Sequence, residues 1–117
     1  MRLFSWKGGK KKMKQWKDNG YSLILVHSKY QNNDMDYFGF VIKGDCESYI
    51  DVTCNTPLNE PGTITFDHNF LDICPGLAEE FKKEYCTERL DDVISGYCSL
   101  QKYKVDMDKL LSDAINY

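Results

Sequence analysis

Long hydrophobic runs are missing from the sequence, and the longest uninterrupted apolar stretch is Leu23-Ile24-Leu25-Val26. Because a transmembrane helix needs about 20 apolar residues, we expect no membrane span and no membrane partner. No apolar stretch of signal-peptide length follows the N-terminal lysines, which favours a cytoplasmic location. Proline and glycine are also scarce, at 3 and 8 of 117 residues, and this composition indicates a globular domain.

Metal-binding and disulfide patterns are absent as well. The sequence contains no C-x-x-C pair, and its five cysteines are odd in number and widely spaced, at Cys46, Cys54, Cys74, Cys86 and Cys98. A zinc site needs thiolate or imidazole ligands at short spacings. We therefore interpret the cysteines as reduced thiols and predict no metal and no cofactor.

Motifs of known catalytic chemistry are equally lacking, since the P-loop, G-x-G-x-x-G, G-x-S-x-G, H-E-x-x-H and EF-hand patterns do not occur. The only histidines are His27 and His68. His68 follows Asp67 at the end of a predicted strand, where neighbouring side chains point to opposite faces. We assign no catalytic residue and expect a protein that is not an enzyme. The alternative is a small cysteine- and histidine-dependent hydrolase, for which Cys54 and His68 are the first residues to replace.

Charge is divided unevenly along the chain, although the net charge is only −3. Residues 1–20 carry seven Lys or Arg against one acid, a net +6, whereas residues 21–117 carry eight against 17, a net −9. An acidic body repels phosphate backbones and attracts basic partners. Any role in nucleic-acid binding therefore depends on the N-terminal segment.

Four strands are predicted where β-branched and aromatic residues lie between clusters of turn formers. They cover residues 21–30, 36–45, 48–56 and 63–69. The third strand alternates clearly, with Ile50, Val52 and Cys54 on one face. Short connections between successive strands predict an antiparallel meander.

Helices are predicted in the second half, where apolar residues recur at intervals of three and four over residues 74–98. Pro75 suits the first helical position, and Asp106 suits the N-cap of a second, short helix over residues 106–117. We thus predict an α+β fold: one antiparallel sheet of four or five strands with C-terminal helices on one face. Residues 1–117 form a single domain, with a basic N-terminal segment at residues 1–20.

The basic segment supports two interpretations. In the first, lysines bind phosphates while a tryptophan stacks on a base; the residues concerned are Lys10, Lys11, Lys12, Lys14, Lys17 and Trp16. In the second, the segment is a solvated helix with Met13 and Trp16 facing inward, its end is marked by Asn19-Gly20, and its lysines pair with acids of the same domain.

An acidic outer helix face and several tyrosines indicate a protein-binding surface. The predicted partner-binding residues are Glu80, Glu84, Glu88, Asp91, Asp92, Tyr49 and Tyr103. In type alone, a small acidic α+β protein resembles the inhibitors that bacteria and phages make against nucleases, including immunity proteins, and no residue carries over from them. We predict a non-enzymatic module that covers a basic site on a partner such as a toxin or nuclease. Monomer and homodimer both stay open.

Overall fold

The fold was taken from a computed structural model, which describes residues 14–31, 33–45, 47–56 and 60–117. In chain order the elements are β1 (Trp16–Asp18), β2 (Tyr21–Lys29), β3 (Asp36–Ile42), β4 (Ser48–Asp51), β5 (Thr63–Thr65), α1 (His68–Ile73), α2 (Pro75–Tyr85), β6 (Cys86–Ser95), β7 (Cys98–Val105), α3 (Met107–Asp113) and β8 (Ile115–Asn116). Within these ranges, no helix has the length and apolar character needed to cross a membrane.

The strands and helices confirm the predicted α+β class. The prediction of a single sheet is wrong, because the strands form two sheets. In the first sheet, β1, β2, β3 and β4 are antiparallel neighbours in sequence order, and β8 adds to β2 in parallel through Val26 and Ile115. The second sheet has the order β5-β7-β6. The predicted fourth strand, β5, pairs with β7 instead of β4, and Thr63 lies opposite Lys104. The meander therefore ends at β4.

The two sheets are joined directly after β4. An isolated bridge links Thr53 to Phe66, and the Asp67 backbone N–H donates to the Val52 carbonyl at 2.8 Å. The Cys54 N–H donates to the Thr65 carbonyl at 2.9 Å. These hydrogen bonds connect the two sheets. They also satisfy backbone N–H and C=O groups that lie beyond the strand pairs of either sheet, as buried backbone groups require.

The second half of the predicted long helix is a β-hairpin. The helix begins at Pro75 as predicted but ends at Tyr85, and β6 and β7 follow. The register of β6 shifts between Leu90 and Val93, which is a bulge or irregularity. Extra residues on a strand interrupt its alternation of inward and outward side chains. The inward residues Leu90 and Val93 are therefore three positions apart, which is also a spacing found along one face of a helix. Glu88, Asp91 and Asp92 consequently lie on a strand, not on the outer face of a helix.

The end of the basic segment is a strand where a helix was predicted. Trp16–Asp18 pairs with β2, and Asp18 lies opposite Tyr21. Between them, Asn19 and Gly20 have φ values of 50° and 81°, which suit a type I′ hairpin turn. Asn-Gly serves equally well at the end of a helix, and this ambiguity explains why a helix was predicted for the segment before Asn19. Lys10, Lys11, Lys12 and Met13 lie outside the described residues.

The helices close one face of the first sheet. The Asp67 carboxylate caps α1 by accepting from the Asn69 N–H at 2.8 Å, and Asp106 caps α3 as predicted, by accepting from Lys109. Leu110 of α3 is buried, but Ile115 belongs to β8 and is exposed. Between the helices and the sheets lies a core rich in aromatic rings, which includes Trp16, Phe38, Phe40, Phe66, Phe70, Phe81 and Tyr85.

Replacing Gly20 by alanine should destabilise the protein by about 1 kcal/mol, because a left-handed φ penalises an L side chain. Gly76 is the matched control, since an added Cβ there meets nothing within 4 Å and its φ is not left-handed. Gly76→Ala should be neutral or stabilise by up to about 1 kcal/mol. Urea unfolding of both variants measures the difference. Equal effects would contradict the turn assigned to Asn19-Gly20.

Candidate functional site

An open groove of about 710 Å³ lies between α2 and the β6–β7 hairpin. Its walls include Glu80 of α2, Glu88 of β6 and Tyr103 of β7. Three of the predicted partner-binding residues, from three different elements, are thus brought to one place. Sequence spacing gave no sign of this convergence, because it depends on the pairing of β6 with β7.

Tyr103 is the residue of β7 that lines the groove. Its ring packs against Phe66 with centroids 5.4 Å apart. The Nζ of Lys82 and the guanidinium of Arg89 each lie 5.5 Å from the Tyr103 ring centroid. Cations at this distance from an aromatic face are attracted to it. The ring is therefore held in a fixed orientation with two cations beside it, and both line the groove.

The acids of α2 are already paired within the chain. Lys14 Nζ lies 3.8 Å from a carboxylate oxygen of Glu80 and 3.8 Å from one of Glu84. Lys109 donates to Glu84 at 2.9 Å, and this hydrogen bond is the main cause of a lowered pKa for the Glu84 carboxyl. Pairing of a basic-segment lysine with the domain's own acids is seen for Lys14. Exposed ion pairs of this kind contribute about 0–1 kcal/mol, so a partner can exchange them at little cost.

The acids of β6 have separate surroundings. Lys104 lies 3.5 Å from Glu88 across the hairpin. Asp92 accepts from Arg89 at 2.7 Å and from the Ser99 hydroxyl at 2.9 Å, and the bond from Arg89 is the first cause of its lowered pKa. Asp91 is exposed. The acids of the predicted face are therefore divided between α2 and β6, and Glu80 and Glu88 are the two that share the groove.

Tyr49 lies on the first sheet, apart from the groove. Its hydroxyl donates to the Asp18 carboxylate at 2.7 Å, and its ring is 5.6 Å from that of Tyr21. Burial, followed by this bond, raises the pKa of Tyr49. The side chain thus contributes to the contact between β4 and the β1–β2 hairpin.

The tip of the β6–β7 hairpin, in a region predicted to be helical, exposes two large apolar side chains. Tyr97 is 109% exposed and Ile94 is 70% exposed. Gly96 begins the two-residue turn with a φ of 62°, the sign that a type II′ turn requires at that position. The Ser-Gly dipeptide at 95–96 was the available turn signal.

The alternative nucleic-acid surface is divided in the structure. Trp16 is only 1% exposed and packs against Phe40 at 5.1 Å, so its ring is not accessible to a base. Lys14 lies over Trp16, with Nζ 4.6 Å from the ring centroid. Lys17 is exposed. Lys10, Lys11 and Lys12 are outside the described residues, and their role stays a prediction.

The titratable residues named for a hydrolase are not seen as a connected set. His27 bonds to Asp36 at 2.8 Å, and His68 lies 3.6 Å from Asp72. Burial raises the pKa of the Cys54 thiol, which lowers the thiolate fraction that a nucleophile needs. Among the described residues, no three His, Cys, Asp or Glu side chains are grouped so that they would hold a metal ion.

Thiol reactivity should follow burial. Burial raises the pKa of Cys74 to about 11 and that of Cys86 to about 12, whereas Cys98 is exposed. At pH 8, iodoacetamide should alkylate Cys98 well before Cys74 and Cys86, because the thiolate is the nucleophile. Peptide mass spectrometry over time measures the rates. The same experiment in urea is the control, where the three rates should converge; equal rates in the native protein would refute the burial pattern.

Alkaline stability should depend on tyrosine hydroxyls bound to carboxylates. Tyr85 donates to Asp113 at 2.7 Å, and burial, followed by this bond, raises its pKa. Since an unfolded tyrosine ionises near pH 10, this contribution is present below that pH and is lost as the pH rises above it. Urea unfolding at pH 8 and 10.5 should show a smaller loss for Tyr85→Phe than for the wild type. The control Tyr97→Phe, at the exposed tip, should lose as much stability as the wild type between the two pH values. If Tyr85→Phe also lost as much stability as the wild type, this account would be wrong.

Comparison of the chain with protein-family models, with curated proteins and with solved structures found no match. The groove between α2 and the β6–β7 hairpin is therefore interpreted from its own residues. Its functional features are the convergence of Glu80, Glu88 and Tyr103, and the exchangeable ion pairs around them.

Proposed function

We propose that this protein is a non-enzymatic, cytoplasmic binding module that covers a basic site on another protein, as inhibitors and immunity proteins do with toxins and nucleases. The observation that carries the proposal is the groove in which Glu80, Glu88 and Tyr103 converge. Tyrosine and arginine are enriched in protein interfaces, and in this groove Arg89 lies beside Tyr103.

The charges of the groove favour a specific, salt-sensitive contact. Glu80 lies 3.8 Å from the partly buried Lys14, and Glu88 lies 3.5 Å from the exposed Lys104. A partner's Lys or Arg side chains can replace these lysines, because the pairs are weak in water. Lys82 and Arg89, which line the same groove, repel a wrongly placed cation, and alternating charges of this kind fix the register of a complex.

The charge of the whole body adds long-range attraction. Residues 21–117 carry a net −9, and such a potential speeds encounter with a basic surface and weakens as salt is added. The exposed hairpin tip with Ile94 and Tyr97 supplies apolar area next to the charged strands. Exposed aromatic residues of this type are frequent anchors in interfaces.

A charge reversal in the groove should abolish partner binding. The tagged protein is used in a pull-down from its native host, after nuclease treatment, at low and high salt. The double variant Glu80→Lys/Glu88→Lys should recover at least about tenfold less of a basic protein than the wild type, because two attractive pairs become repulsive.

Glu47→Lys is the matched control, since Glu47 is exposed and precedes β4 on the other sheet. It should recover the partner as the wild type does at equal ionic strength. Equal recovery by the double variant and the wild type would exclude the groove. Recovery of nucleic acid that disappears with nuclease or high salt would favour the lysine-rich segment instead.

A further inference from the structure

A second, smaller cavity lies between α1 and β7. Its volume is about 150 Å³, which corresponds to about five water molecules at ~30 Å³ each and is below the roughly 300–1,000 Å³ of sites for drug-sized ligands. The cavity is therefore suited to one side chain or a group of that size. Its apolar wall is formed by Phe66, Leu71 and Leu100.

The polar groups of this cavity favour a cation. Asp72, Ser99 and Gln101 are among its lining residues, and their side chains carry a carboxylate, a hydroxyl and an amide. The Ser99 hydroxyl donates its hydrogen to Asp92 at 2.9 Å, so its lone pairs stay available as acceptors. His68 also lines the cavity, and its Nε2 lies 3.6 Å from the Asp72 carboxylate. Among the described residues that line the cavity there is no Lys or Arg, in contrast to the groove beside α2.

One of these groups lacks a hydrogen bond. Gln101 Oε1 is shielded from solvent, and it is the one buried side-chain N or O atom without a partner in the described part of the chain. Buried acceptors are normally satisfied, and an exception calls for an explanation. The terminal torsion of an amide is broad, so a small rotation would present this oxygen to a donor in the cavity.

We propose that the cavity between α1 and β7 binds the guanidinium group of an arginine side chain from a basic partner protein. This inference rests on the proposed function and names one contact within it. A guanidinium offers five N–H donors in a plane, which match acceptors from Asp72, Ser99 and Gln101 on two elements.

The charge on the cavity comes mainly from Asp72. Its side chain is 69% exposed, and its contact with His68 Nε2 is long, at 3.6 Å. Asp92, behind Ser99, is already neutralised by Arg89 at 2.7 Å. A guanidinium that enters therefore pairs with Asp72, and because this carboxylate is exposed we expect its removal to weaken binding by up to about fivefold.

The test uses methylguanidinium chloride as the probe in an NMR titration of the ¹⁵N-labelled full chain at constant ionic strength. The expected result is saturable shifts of the amide signals of Leu71, Asp72, Ser99 and Gln101. Methylurea, which has a similar shape but no charge, should bind more weakly. Asp72→Asn should weaken methylguanidinium binding about three- to fivefold, whereas the control Asp108→Asn, on an exposed acid of α3, should titrate as the wild type does.

Gln101→Glu is the second variant, because an added carboxylate should tighten methylguanidinium binding. Equal binding of methylguanidinium and methylurea, or a wild-type titration of Asp72→Asn, would overturn the inference. If Asp72→Asn lost its dispersed spectrum, Gln101→Glu would decide, and an absence of tightening would count against the site. This titration needs no partner protein, so a pull-down that fails while methylguanidinium binds refutes the proposed function and leaves the cavity's chemistry standing.

Discussion

The packing of aromatic rings around Phe81 is the interaction on which the rest of the structure depends. Its ring centroid lies 4.9 to 6.3 Å from those of four others: Tyr85, Phe66, Phe70 and Trp16. These rings come from both sheets and from α1 and α2, so one side chain of α2 joins all the layers. Rings at such distances attract one another beyond their burial. Phe66 also packs against Tyr103 of β7, so the same cluster connects α2 with the β6–β7 hairpin, the two walls of the groove.

Local signals in the sequence placed β2, β3, β4 and β5 and the starts of α2 and α3, whereas β1, β6 and β8 lie in segments predicted to be helical and β7 and α1 were not predicted. Pro75 and Asp106 mark the starts of α2 and α3, because a missing N–H and a capping carboxylate satisfy the needs of a helix start. The pairing of β5 with β7 and of β8 with β2 was not predictable in this way, since partners distant in sequence leave no periodic trace. The register shift between Leu90 and Val93 of β6 produces a spacing of three between apolar residues, and this spacing led to the wrong prediction of a helix.

The candidate site was predictable only in part, for a related reason. Residue type identified Tyr103, because tyrosine is enriched at interfaces, and it identified Glu80 and Glu88, because acids attract a basic partner. Their convergence depends on the hairpin, and so does the separation of Tyr49 from them. The sequence analysis did not identify the amide oxygen of Gln101. This atom stands out only because it is buried without a hydrogen bond, and no residue pattern encodes that.

The position of β7 has a consequence for the continuity of the chain. A peptide bond cut after Tyr97, at the exposed tip, would divide the protein into residues 1–97 and 98–117. The shorter fragment would keep three anchorages: the central strand of the second sheet, the buried Leu110 of α3, and β8 on the edge of β2. Two fragments held at three places should stay associated and folded. The molecule is thus a natural candidate for reassembly from two separately made pieces.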